Sequence, residues 1–593
     1  MGLLFAAIAT ALRLTWVLLV PSRPVGDFAL YLESAAYLLE HGAFDSEFIY
    51  MPGYVLLLAA VQALGGGVLC AKLVGVVLSG AAAWPVFGIA TRLFDRRAGV
   101  IAATLYTLWP AGIAVASVTG TDMPTAALLI TATYLLVCLG DQRPWRAAVL
   151  FGLVLGLAAT VRAVAVPLAA LAVFYWLAAG ARLPAALART AAGCAVAALV
   201  LLPWGIRNQR VYGEFFLTDS HGGHTALVGS NPNSDGVYTR SLNQIFWKGT
   251  GYKLFDPPHR ASDRAAYQLA RSWAAFEPAF ALGLVVAKAD RLLTLERPLL
   301  YWPVYRQGVL PDGARAWFDA HRGDLERLVD GCWYFLVAAA AIGFVVALSR
   351  RHWRALALTL IPLALTALYA SFFSEVRYHL AIAIFIFPFA GLALRTLIDG
   401  PGELFAGRLN RRDRRRLARE LLGSLAVVIL IFVGWPRLVS AGAAIRDRHR
   451  WAATVCTVGD RSQVCSWRAA TPPPSPVRGV WNGVGLRPRA DSEVAAVTAL
   501  PLAAGQYRIT ATIDSALPSI EPSVDVTLRT GSNAVAEVAL PAPAGAPAAS
   551  VDAIVDHPGG LLEFRFAAAP IPGRPTSDFP SVWLSDLAVR VKD

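Results

Sequence analysis

For about 440 residues the chain alternates long apolar runs with short polar clusters, then changes to brief alternating runs broken by Gly and Pro. Apolar runs fall near 2–20, 69–91, 98–116, 122–140, 146–161, 163–181, 185–205, 328–349, 354–372, 378–397 and 419–437. Each is about long enough to cross a bilayer, which takes roughly 20 residues, although 146–161 is short. Residues 53–64 are apolar but too short to cross comfortably. If they lie in the interface and the N-terminus is cytoplasmic, Arg92, Arg96 and Arg97, Arg143 and Arg146, Arg182 and Arg189, Arg350, Arg351 and Arg354, and the Arg408–Arg419 cluster all face inward. That satisfies the positive-inside rule at every turn. The pattern predicts a polytopic α-helical membrane protein of about eleven spans. Its outer segments are 21–52, 117–121, 206–326, the turn 373–377 and everything after about 438. The first run is interrupted only by Arg13 and has no convincing cleavage site, so it reads as a retained helix.

Residues 441–478 read as a linker, with Cys456, Cys465 and Pro472-Pro473-Pro474. From 479 to 593, runs such as Tyr507-Arg508-Ile509-Thr510-Ala511-Thr512-Ile513 and Leu562-Glu563-Phe564-Arg565-Phe566 predict an extracytoplasmic antiparallel β-sandwich. A carbohydrate-binding face built on Trp481, Tyr507 and Trp583 is one use of its aromatics; burial in the sandwich core is the commoner one.

Composition agrees with a membrane protein. Of 593 residues, 56% are hydrophobic and 16% charged, with mean hydropathy +0.52. The net charge of +13 sits in clusters between apolar runs, which is a topology signal and not a nucleic-acid footprint. Cys70, Cys138, Cys194 and Cys332 lie in apolar runs. Cys456 and Cys465 lie in a polar stretch where a disulfide is possible if that side is oxidising.

Candidate chemistry gathers on the outer segments. Pro24-Val25-Gly26-Asp27-Phe28-Ala29-Leu30-Tyr31 follows the first span, and Asp27 is either a helix N-cap or a catalytic carboxylate. Tyr31, Tyr50-Met51-Pro52-Gly53-Tyr54 and Thr119-Gly120-Thr121-Asp122-Met123-Pro124 come next; Asp122 suits a helix dipole or catalysis. Arg162, between two apolar runs, is paired, functional or snorkelling. Arg207-Asn208-Gln209-Arg210-Val211-Tyr212-Gly213 is followed by His221-Gly222-Gly223-His224 and Gly229-Ser230-Asn231-Pro232. The two His have no third ligand nearby, so a Gly-rich turn is the better reading than a metal site. In Ser374-Glu375-Val376-Arg377-Tyr378-His379, Arg377 either pairs locally with Glu375 or holds an anionic head group.

This ordered set resembles bacterial GT-C fold glycosyltransferases of the protein O-mannosyltransferase and aminoarabinose transferase group (glycosyltransferase family 39-like), over about residues 1–400. The matching features are an Asp after the first span, Tyr-x-Pro-Gly-Tyr, an outer acidic-x-Pro turn and an Arg-Asn-x-x-Val-Tyr-Gly strand. Gly-x-Asn-Pro and Glu-x-Arg-Tyr follow. The resemblance implies a hexosyl- or pentosyltransferase in the bacterial plasma membrane. Its donor is a polyprenyl-phosphate-linked sugar, and its acceptor an extracytoplasmic glycan, lipid or protein. Asp27 matches the first-loop catalytic acid, and Asp122 stands where many relatives carry Glu. Arg377, Tyr378 and Arg162 then serve the donor phosphate, and Tyr31, Tyr50, Asn231 and Glu375 the substrates. No cofactor is implied with certainty, and a divalent cation is compatible. The rival classes are a transporter, against which the sequence shows no internal repeat and no broken-helix pair in matching halves, and a non-catalytic glycan-binding protein.

Overall fold

The computed structural model describes every residue except 232–233, 235, 237–258, 277, 406–410, 449–450, 459–460, 470–478, 482–484, 489–493, 517–523, 531–532, 541–548, 569–580 and 592–593; for most of the tail it describes the backbone only. The chain forms two compact units. The first comprises Met1–Asp219, Ala289–Tyr369 and Ser374–Leu438, the second Ser220–Lys288, Ala370–Phe373 and Val439–Asp593. Residues 220–288, read from sequence as an outer loop of the membrane domain, therefore group with the tail.

The first unit is helical and the chain is a polytopic helical membrane protein. Among the described residues eight helices are long and apolar enough to cross a membrane: Gly2–Leu19, Val68–Leu93, Asp122–Leu139, Pro144–Val161, Leu183–Tyr212, Arg322–Ser349, Trp353–Ser371 and Arg415–Arg446. Two bent pairs raise the number to ten: Arg96–Thr107 with Pro110–Ser117, bent by 52°, and Val376–Ala383 with Phe387–Asp399, bent by 58°. The eleventh segment read from sequence is the short Ala163–Ala178, whose first half is a 3-10 helix around Pro167. The bent pairs are breaks that the sequence did not reveal. Pro110 has no N–H to continue the first helix and starts the next one instead.

The Arg-Asn-x-x-Val-Tyr-Gly motif is not a strand. Arg207 to Tyr212 extend the Leu183–Tyr212 helix, which ends only at Gly213, left-handed at φ 72°. Small residues let helices touch: a Cβ on Gly152 would lie 2.2 Å from the Gly193 carbonyl oxygen. Arg13, fully buried, donates to the Ala9 carbonyl (3.1 Å) and lies 5.0 Å above the Tyr106 ring. Its charge is thus accommodated inside the helix packing, which explains why it interrupts the first span without a role at the site.

The second unit carries helices Gly222–Gly229, His259–Phe276 and most of Pro278–Leu293, then nine strands. These are β1 (Trp451–Val458), β2 (Arg461–Ala469), β3 (Gly479–Trp481), β4 (Gly485–Pro488), β5 (Val494–Ala516), β6 (Val524–Thr530), β7 (Asn533–Leu540), β8 (Ala549–Ala568) and β9 (Ser581–Val591). They join in one hydrogen-bonded sheet, ordered β3-β4-β9-β1-β2-β5-β8-β6-β7, with β9 also pairing β5. The expected all-β tail is present as this hydrogen-bonded network. Residues 451–469, read as linker, form the β1–β2 hairpin. Their β-branched runs flank Gly459-Asp460, a two-residue turn signal. Cys456 faces Gln463 and Cys465 faces Thr454, so the two cysteines are diagonal neighbours. That places their Cα atoms about 7–8 Å apart, beyond the usual disulfide span. Tyr507 is buried, and the Trp481 and Trp583 side chains fall outside the described residues.

Candidate active site

Four helix ends in the first unit bring two carboxylates and two guanidiniums together. Asp27 opens the Asp27–His41 helix. Gly26, at φ 58°, is the cap residue, and the Asp27 side chain makes no capping bond. It accepts instead from Arg377 Nη2 at 3.0 Å. The Asp27 side chain is 48% exposed and that of Arg377 16%. This carboxylate is therefore both held and reachable. The loop before it is fastened at Ser22, whose carbonyl and hydroxyl accept from the buried Lys72 amine at 2.5 and 2.9 Å. The Ser22 hydroxyl donates in turn to the Ser117 carbonyl.

Asp122 opens the Asp122–Leu139 helix and pairs with Arg162, which closes the Pro144–Val161 helix. Thr121, the expected cap, makes no side-chain capping bond. The Asp122 side chain is only 6% exposed. Tyr378 links the two ion pairs: the Arg162 guanidinium carbon lies 4.2 Å from its ring centroid and that of Arg377 5.6 Å. Tyr369 stacks on Tyr378 at 4.7 Å, and Arg377 also covers Phe28 at 4.9 Å. Gly120 permits this closeness, because a Cβ there would meet the Phe28 ring at 2.8 Å.

Tyr31 lies one helical turn after Asp27, edge-on to Tyr50 (5.2 Å) and Tyr54 (5.5 Å). Burial raises the Tyr31 phenol well above its usual range; Asp27 and Asp122 push the same way while Arg162 and Arg377 oppose. Burial, then Asp27 and Tyr31, raise Tyr50 likewise. Both stay protonated, as hydrogen-bond donors. Glu375 caps the 3-10 turn Val376–His379. Burial raises its carboxyl against the pull of Arg377 and Arg291. The local Glu375–Arg377 pair gives way to Asp27–Arg377.

Asn231 belongs to the second unit, where its amide donates to the Leu227 and Val228 carbonyls at the end of the Gly222–Gly229 helix. His224 faces Ser262 Oγ at 2.8 Å; burial, with His221 and His259 nearby, pushes its imidazole down to about 3. Among the described residues no three of His, Cys, Asp and Glu converge as a metal site would need.

Sequence reasoning missed the support under Arg377. The buried Glu296 carboxylate accepts from Trp109 Nε1 at 2.9 and 3.0 Å and faces His379 Nε2 at 2.8 Å. His379 Nδ1 lies 2.6 Å from the Leu292 carbonyl, so it carries a proton. This network ties the turn bearing Arg377 and Tyr378 to the Arg297–Tyr301 helix and to the Pro110 break. Its one sequence signal was three polar or amphipathic residues set in apolar surroundings.

Residues 50–206 match the family model for dolichyl-phosphate-mannose-protein mannosyltransferase. No curated protein matches the chain. Among solved structures, the chain is similar to the archaeal oligosaccharyltransferase AglB from Archaeoglobus fulgidus, in complex with an inhibitory peptide and a dolichol-phosphate. That match has 16% identity and a TM-score of 0.41, covering 75% of this chain and 56% of AglB. It is also similar to ArnT from Cupriavidus metallidurans bound to undecaprenyl phosphate, at 15% identity and a TM-score of 0.38, covering 76% of this chain and 74% of ArnT. The chain thus spans little more than half the length of AglB. The matched family segment contains Tyr50, Tyr54, Asp122 and Arg162.

Proposed function

We propose that this cluster moves a sugar from a polyprenyl-phosphate donor to a hydroxyl of an extracytoplasmic glycan, lipid or protein, at the outer face of the bacterial plasma membrane. The observation that carries the reading is an exposed carboxylate, Asp27, held by a largely buried guanidinium, Arg377, at a helix end. Phosphate arriving at Arg377 competes for the guanidinium and frees Asp27 to act as base. The acceptor oxygen attacks the anomeric carbon and its proton passes to Asp27. The bond from that carbon to the phosphate oxygen breaks, and its electron pair leaves with the lipid phosphate. Arg377 stabilises the charge that develops there. A single displacement inverts the anomeric centre. Asp122 is nearly buried and committed to Arg162, so its role is to fix Arg162 and through it Tyr378. Tyr31 and Tyr50 supply hydroxyl donors and a ring surface for the sugar.

The transporter reading gains two broken helices, a feature of transport folds. Their breaks, however, are filled by Tyr106, Trp109 and Phe387, all at most 1% exposed, with the last ring 5.3 and 5.4 Å from the other two. A packed aromatic plug favours the enzyme. The test is donor titration. Arg377→Ala raises the apparent KM for the lipid-linked sugar about tenfold or more, the loss expected of a charge-assisted bond. Arg377→Lys recovers part of it. Unchanged donor KM in folded Arg377→Ala protein removes the phosphate role.

A further inference from the structure

At the other end of the Asp122–Leu139 helix lies a cavity of about 250 Å³, lined by Arg92, Leu93, Val137 and Tyr175, by Ala178 and by the turn from Arg351 to Ala355. Val137 is about 22 Å along the helix axis from Asp122, so this cavity is remote from the candidate active site. Its chemistry is unlike a packing defect. Three guanidiniums, Arg92, Arg351 and Arg354, meet there. Among the described residues the carboxylate tied to them is Asp141, which pairs with Arg92 at 2.5 Å and with Arg354 at 2.7 Å. The surplus is positive.

Two further observations point to a ligand. Tyr175 is 2% exposed, yet its hydroxyl has no hydrogen-bond partner among the described residues. A buried phenol without a partner is costly, and this one belongs to a residue of the cavity wall. The second is Arg351, the one non-glycine residue with positive φ (57°) among the described residues. It sits where the Arg322–Ser349 helix ends, with His352 N–H returning to the Ala347 carbonyl. Glycine is the residue this left-handed position favours, and an arginine there is strained. The chain accepts that strain and keeps a guanidinium at the cavity.

We propose that this cavity binds the phosphate of an anionic phospholipid head group, with Arg351, Arg92 and Arg354 as the cationic wall and the Tyr175 hydroxyl as a neutral donor. Leu93, Val137 and Ala355 give the glycerol and upper acyl chain an apolar surface, and the half-exposed Trp353 suits the interface level. The site lies at the membrane face where the basic loops gather, which is where pockets of this kind meet anionic lipid.

Arg351→Gly is the decisive variant because glycine suits φ 57°, so the fold is retained or improved while the guanidinium is lost. Tyr175→Phe keeps the ring and removes only the hydroxyl. The full-length protein in detergent is titrated with phosphatidylglycerol, with phosphatidylcholine and with inorganic phosphate, reading bound lipid by native mass spectrometry and the melting temperature in parallel. The expected result is preferential retention of phosphatidylglycerol, weakened about tenfold in Arg351→Gly and measurably in Tyr175→Phe, with both variants melting at or above the parent without lipid. Inorganic phosphate that binds at least as well as the lipid, and is lost in the same variants, assigns the site to a soluble phosphate compound. Equal phosphatidylglycerol retention by parent and variants, or no preference over phosphatidylcholine, overturns the proposal.

Discussion

The Glu296–His379 pair makes a quantitative prediction, because both side chains are almost fully excluded from solvent, at 0% and 1% exposure. With His379 Nδ1 committed to a carbonyl, one proton is shared between His379 Nε2 and Glu296, while Trp109 donates to the same carboxyl group. Glu296→Ala leaves the imidazole and the indole N–H facing a cavity. Removing one partner of a buried pair costs about 3–5 kcal/mol. His379→Ala leaves the carboxylate with Trp109 alone, at a similar cost. Glu296→Gln is milder: its amide N–H donates to a neutral Nε2 and its oxygen accepts from Trp109, so about 1–2 kcal/mol is lost with the charge. The double alanine variant leaves the Trp109 N–H without its acceptor, but no unpaired imidazole or carboxylate, and costs well under the sum of the singles. The assay is equilibrium unfolding in mixed micelles as a double-mutant cycle, with donor titration on each folded variant. Because the pair anchors the turn carrying Arg377, the donor KM of Glu296→Gln rises more than its kcat falls. Single costs that add within about 0.5 kcal/mol would show that the pair does not act as a unit. An unchanged KM in Glu296→Gln would separate it from the site.

Asp122→Ala lowers activity and melting temperature together, by about 3–5 kcal/mol in stability, since it strands the partly buried Arg162; activity loss at an unchanged melting temperature would make Asp122 a chemical participant instead. Lys288, 1% exposed, donates to the Phe372 carbonyl (2.9 Å) and Ser230 Oγ (3.3 Å), and burial pushes its amine down to about 7. Between that value and its ordinary 10.5 the unfolded chain binds more protons than the folded one, so stability rises with pH across this window and is lowest below it. Lys288→Met flattens that dependence, and a parent protein whose melting temperature falls from pH 7.5 to 9.5 contradicts the assignment.

The membrane half was legible because each apolar run must satisfy its own backbone as a helix, and because carboxylates and arginines are scarce there. Asp27, Asp122, Arg162, Arg377 and Tyr378 stood out in sequence and converge in the structure. What sequence could not supply was the pairing. Asp27 looked as good a cap as a base; in the structure Gly26 takes the cap position and the Asp27 side chain pairs with Arg377, 350 positions away. The breaks at Pro110 and Phe387 were hidden because each bent pair reads as one continuous apolar run. Asn231 lay in a distinctive motif but is used by its own helix end. The β1–β2 hairpin was missed because the proline run just after it made the whole stretch look like linker.

The most direct test is transfer from a polyprenyl-phosphate sugar by Asp27→Asn, with a thermal melt beside it. Asparagine keeps the shape and can still accept from Arg377, but it cannot take the acceptor's proton. The account predicts a rate lower by about 10²–10⁴-fold with a melting temperature near that of the parent. Near-parent transfer by a folded Asp27→Asn protein would contradict it.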